Sequence, residues 1–176
     1  MHPMQIQAVH AEQKWIQDMA TICTHQITMH TNQNTYGIQA STMQQRMINA
    51  KQALRYFVPR FNRAMTGNGW RRNADYIPVI IPALEGTLNT YDKNRTLHWH
   101  ILIGNLPKHI ETDNIQTQAQ RIWCAHEYAK DNINTSQLWH AEGFAGYTTK
   151  EHKQGNFECV EAALIQLPKH TITNYG

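Results

Sequence analysis

The alternation of β-rich and helix-periodic stretches predicts an α+β chain of ferredoxin-like type, a mostly antiparallel sheet with its helices packed on one face. Three observations lead there. The segments run in the order β-α-β-β-α-β, and the loop between the two central strands makes them an antiparallel hairpin. At 176 residues with 41% hydrophobics, the chain suits one packed domain and argues against disorder.

Residues 9–20 read as a short helix. Residues 21–30 follow as a β-rich run that ends at the turn-like Thr31-Asn32-Gln33-Asn34. Ser41 or Thr42 is placed to cap a helix in which Met43, Met47, Ala50, Leu54, Phe57 and Phe61 recur at spacings of three and four. Pro59 predicts a kink or break late in that helix. After Gly67-Asn68-Gly69, residues 76–84 are β-rich but carry Pro78 and Pro82, which marks an edge or bulged strand.

The loop 86–95 leads into the strand 97–103, closed by Gly104-Asn105-Leu106-Pro107. Residues 112–130 then read as a helix through Ile115, Ala119, Ile122, Trp123 and Ala129. Gln137-Leu138-Trp139-His140 reads as a short strand, and Tyr147-Thr148-Thr149-Lys150-Glu151 as a helix entered from Gly143-Phe144-Ala145-Gly146. The expected organisation is one domain over 1–176, with 1–20 an N-terminal and 155–176 a C-terminal extension.

Composition narrows the function classes. Cys23, Cys124 and Cys159 are odd in number, widely separated and form no C-x-x-C pair. That argues against a disulfide framework or a cysteine zinc site and fits a reducing, cytoplasmic setting. No apolar stretch reaches bilayer-spanning length, and Met1-His2-Pro3-Met4-Gln5 lacks the features of a signal peptide, so no membrane partner is expected. The net charge of +3 hides an asymmetry: residues 19–74 contain no Asp or Glu but carry Arg46, Lys51, Arg55, Arg60, Arg63, Arg71 and Arg72. Such a block is either a solvated basic face or a surface for nucleic-acid phosphates, and charge alone weighs the two about equally.

The most informative residues are Leu97-His98-Trp99-His100-Ile101-Leu102-Ile103. On a strand, His98 and His100 project to one face and Trp99 to the other. Two imidazoles among apolar flanks need partners for their ring nitrogens, and a shared metal ion supplies them. If Glu85 continues the preceding strand, an odd register sum places it on the same face, opposite either histidine. Glu142 or His140 is an alternative third ligand. Two imidazoles and a carboxylate suit Mn²⁺, or Mg²⁺ with substrate phosphate and water completing the shell; Zn²⁺ stays open. Tyr147 is the candidate nucleophile, and Lys150, one helical turn on, is placed to lower its pKa or neutralise a phosphate.

In combination, the His-hydrophobe-His strand Leu97-His98-Trp99-His100, the carboxylate before it and Gly146-Tyr147-Thr148-Thr149-Lys150 resemble the HUH endonucleases, in particular the single-tyrosine replication initiators of rolling-circle plasmids, phages and small circular DNA viruses. The resemblance covers roughly residues 21–153. It implies the HUH variant of the fold, Mg²⁺ or Mn²⁺ on the histidines and a third polar residue, and cleavage of single-stranded DNA by the tyrosine to leave a 5′-phosphotyrosine and a free 3′ hydroxyl. It also implies a single-stranded origin, a hairpin or short recognition sequence, as partner. The chain carries no Walker motif, so a host helicase would act in trans. The family's first motif is matched only loosely by Ile27-Thr28-Met29-His30-Thr31-Asn32, and Glu151 stands where a second tyrosine would lie.

Two readings compete with a replication initiator. A transposase of the same HUH type would use the same chemistry. A non-catalytic, RRM-like sheet would instead bind single-stranded nucleic acid through Trp70, Trp99, Trp139 and Tyr76, although these aromatics are more often core residues.

Overall fold

The computed structural model describes residues 3–87, 92–140, 143–144 and 160–169. Helix α1 (Pro3–Ala20) leads into β1 (Cys23–Asn34), the long α2 (Ala40–Thr66), one helical turn α3 (Gly69–Arg72) and a 3₁₀ turn (Ala74–Tyr76). Then come β2 (Val79–Glu85), β3 (Thr96–Gly104), α4 (Thr112–Trp123), β4 (Ala129–Gln137) and a 3₁₀ turn (Ala162–Leu164). The strands lie in the order β2-β3-β1-β4 with every pairing antiparallel. Helix α2 joins β1 to β2 and α4 joins β3 to β4, which is the ferredoxin-like arrangement expected. No helix of the described residues is long and apolar enough to cross a membrane.

The alternation of side chains divides the sheet. Ile27 and Met29 of β1, Ile80 and Leu84 of β2, and Leu97, Trp99, Ile101 and Ile103 of β3 form the main core with Leu54, Phe57 and Phe61 of α2 and Ile115, Ile122 and Trp123 of α4. The Trp99 indole N–H donates to the Ala50 carbonyl, tying β3 to α2. The opposite face carries a second, smaller cluster in which Ile16, Met19 and Ala20 of α1 pack on Cys23, Val79, Ile81 and Leu102. The helices therefore do not all share one face, as the segment order suggested: α1 takes the other side, at the Gly104 end of β3.

Four element assignments need correction. Strand β1 runs through the turn-like Thr31-Asn32-Gln33 to Asn34, which pairs with Thr96 of β3. Helix α2 runs unbroken through Pro59, because the proline sits on the half-exposed side while Phe57, Val58 and Phe61 anchor the inner side on both flanks. Its N-terminus is at Gln39, with no side-chain cap from Ser41 or Thr42. Helix α4 stops at Trp123 rather than Lys130, and the fourth strand is Ala129–Gln137 rather than residues 137–140. That strand is rich in Asp and Asn, which disfavour strands, and only pairing with β1 makes it one.

The edge assignment of β2 holds. Its outer rim is met by residues 160–166: Ile80 and Gln166 exchange backbone hydrogen bonds, and the Pro82 carbonyl accepts from the Glu161 N–H. Pro82, which has no N–H, thus sits where an inner strand would suffer.

Candidate metal centre

The hairpin register decides the site. Glu85 stands opposite His98 and Ala83 opposite His100, so Glu85, His98 and His100 share the face turned away from α2 and α4. The Glu85 carboxylate Oε2 lies 3.4 Å from Nε2 of His98 and 3.4 Å from Nε2 of His100. One ligand atom from each residue lies within 4.8 Å of the others, and Glu85 is fully buried.

Hydrogen bonds behind the rings set their presentation. His98 Nδ1 lies 3.0 Å from the Thr96 carbonyl oxygen, which only accepts, so Nδ1 carries a proton and Nε2 is the ring nitrogen turned toward Glu85. His100 Nδ1 lies 3.1 Å from the Thr28 hydroxyl on β1, which leaves its Nε2 aimed the same way. Outer partners of this kind are what orient metal-binding imidazoles.

The spacing discriminates between two uses of the cluster. A charge-assisted N–H to carboxylate bond is about 2.7–2.9 Å long, whereas ligand atoms around one cation at about 2.1 Å stand roughly 3.0–3.4 Å apart. The two Glu85–histidine separations of 3.4 Å fall in the second range, within a set of ligand atoms that all lie within 4.8 Å of one another. One buried carboxylate oxygen and two imidazole nitrogens brought together in this way are a donor set that fits a divalent metal ion.

His30 of β1 extends the site. Its ring stacks on His98 at 4.8 Å between centroids, with 14° between the planes. Burial first, and then repulsion of its charged form by the neighbouring basic groups His98, Lys130 and His100, push its pKa down to about 4, so it is neutral at physiological pH. Two clefts flank the triad. One, of about 360 Å³, is lined by Glu85, His98, His30, Arg95, Lys130 and Asp92, among others. The other, of about 450 Å³, lies beside His100, with Thr28 as floor and Trp139, His140 and Phe144 as walls. Trp139 is 79% exposed at its rim, and Phe144 meets the His100 ring edge-on at 6.5 Å.

Of the expected site residues, Glu85, His98 and His100 come together. His140 is an exposed wall residue near His100. Tyr147, Lys150 and Glu142 lie outside the described residues. The basic residues are elsewhere: Arg46, Lys51, Arg55, Arg60 and Arg63 belong to α2, across the sheet from the triad. Arg46 donates to the Asn34 carbonyl, and Lys51 pairs with Glu161 at 2.6 Å. Arg71 and Arg72 end α3, where Arg71 sits over the Trp70 ring.

Arg95 and Lys130, which share a cleft with Glu85 and His98, are not singled out by the sequence, because one lies in the hairpin loop and the other in a stretch that reads as a helix. Thr28 and His30 were legible in the alternation of β1, which aims both at the histidine face. No protein family, curated protein or solved structure matches the chain.

Proposed function

We propose that this protein is a metal-dependent single-stranded DNA endonuclease and strand transferase of HUH type, acting to initiate rolling-circle replication of a small circular DNA. The observation that carries the reading is the convergence of Glu85, His98 and His100 on one face of a ferredoxin-like sheet, in the chain order that precedes Tyr147.

Held by these residues, Mg²⁺ or Mn²⁺ would polarise a phosphoryl oxygen and stabilise charge as the leaving oxygen departs. Tyr147 is the nucleophile: its phenolic oxygen bonds to phosphorus as the bond from phosphorus to the 3′ oxygen breaks. The phenol proton passes to solvent and the 3′ oxygen gains one. The product is a 5′-phosphotyrosine and a free 3′ hydroxyl, and attack by a 3′ hydroxyl reverses the step without ATP. Chain length permits the geometry, since Tyr147 follows Phe144 by three residues, at most about 11 Å of backbone. Lys150 favours the phenolate, and His30 braces the His98 ring. Trp139 offers an exposed face for a base of the single strand, a contact of about 1–3 kcal/mol. Arg95 and Lys130 line the cleft on the other side of the triad, placed to meet backbone phosphates.

The test is Tyr147→Phe with a single-stranded library and Mn²⁺. The expected outcome is loss of the covalent protein–DNA band on denaturing gels with binding kept; a persisting band moves the nucleophile to Tyr128 or Tyr91. The exposed Trp139 also favours a second reading, a non-catalytic single-strand binder. Chelation separates the two: a binder forms no covalent band under any condition and keeps its affinity in EDTA, whereas the nuclease loses cleavage there.

A further inference from the structure

On the helical side of the sheet, away from the metal centre, α2 and α4 frame a cleft of about 420 Å³ into which Arg60, Arg63 and Arg121 converge beside Tyr56. Among the described residues, no Asp or Glu lines it. All three arginines are exposed. Two of the guanidinium groups are held by neutral partners. Arg60 lies 3.5 Å over the Tyr56 ring and donates to the Tyr56 carbonyl. Arg121 donates through two nitrogens to the Gln118 side-chain oxygen, at 3.2 and 2.8 Å. These contacts orient the two groups beside the cleft, and among the described residues none of the three arginines pairs with a carboxylate, so the surface presents positive charge to solvent and to an anion.

We propose that this cleft is a second nucleic-acid site, one that takes the phosphate backbone of duplex DNA. Three features select the ligand. Guanidinium forks match phosphate oxygens, and their fixed positions lower the entropy lost on binding. The charge continues along α2 to exposed Arg55, two turns before Arg63, so the surface fits a run of phosphates rather than one small anion. The cleft's aromatic, Tyr56, has one ring face covered by Arg60, meets the His126 ring at 5.0 Å and packs against the core, so the site holds backbone without stacking bases. A duplex presents itself in that way, in contrast to a single strand at exposed Trp139. The inference is independent of the nuclease reading, because binding here needs neither the metal nor Tyr147.

The experiment measures binding of a fluorescent duplex oligonucleotide, and of its single strand, in EDTA across a salt series. Arg63→Gln with Arg121→Gln should weaken duplex binding roughly tenfold or more near 0.1 M salt and flatten the slope of log K against log salt by about 1.8, leaving the single strand unchanged. Arg63→Lys with Arg121→Lys should restore most of the slope, and the melting temperature of both variants should match the parent. An unchanged duplex slope in the glutamine variant overturns the proposal, as does equal loss for both forms of DNA. Tight binding of tripolyphosphate without duplex binding would also overturn it and assign a small anion.

Discussion

At Gly86 the lack of a side chain sets the geometry of a candidate metal ligand, His98, twelve residues away. Its φ is +89°, and a Cβ there would stand 2.6 Å from the Thr96 carbonyl oxygen, the acceptor that fixes the His98 tautomer. Gly86→Ala should therefore cost about 1–3 kcal/mol of stability and weaken metal binding as well, read by thermal melts and Mn²⁺ titration. Metal affinity equal to the parent's would separate the turn from the site. Histidine burial has a consequence for pH. His25, held between the Thr24 and Thr112 hydroxyls, has its pKa lowered from 6.5 by desolvation. The unfolded chain then binds more protons than the folded one once pH drops through 6.5, so this stability is present above that pH and lost below it. In metal-free protein His30, pushed down to about 4, extends the same loss toward pH 4. Denaturant unfolding across that range should show a steeper decline for the parent than for His25→Gln; parallel curves would remove His25 from the account.

The elements follow sequence where local and tertiary forces agree. The β2–β3 hairpin was legible because apolar runs and a Gly-containing loop both point to it, and its register put Glu85 opposite His98 as the alternation requires. The α4–β4 region was misread because Asp131, Asn132 and Asn134 carry little strand propensity, and the pairing with β1 that makes them a strand is a contact of distant residues. Pro59 is a conflict that α2 tolerates. A proline inside a helix costs about 3 kcal/mol, while its stiffening of the unfolded chain returns at most about 1 kcal/mol. Pro59→Ala should accordingly raise stability by about 2 kcal/mol, seen as a higher denaturation midpoint; a fall would show that a bend at this point is needed for packing on the sheet.

At the scale of the molecule, the sheet separates two chemistries: carboxylate and imidazole with an exposed indole on one face, guanidinium forks on the other. The candidate ligands His98, His100 and Glu85 were readable from alternation and hairpin pairing, with Glu142 and His140 left as alternatives to Glu85. The placement of the cations was not, because charge counts along a helix do not say which side of the sheet that helix covers. The central claim is that Glu85, His98 and His100 hold one divalent ion. Mn²⁺ titration followed by electron paramagnetic resonance, with the parent beside His100→Ala, tests it most directly. The signal of free Mn²⁺ should be suppressed up to one equivalent by the parent and not at all by the variant, and equal uptake by both proteins would contradict the assignment.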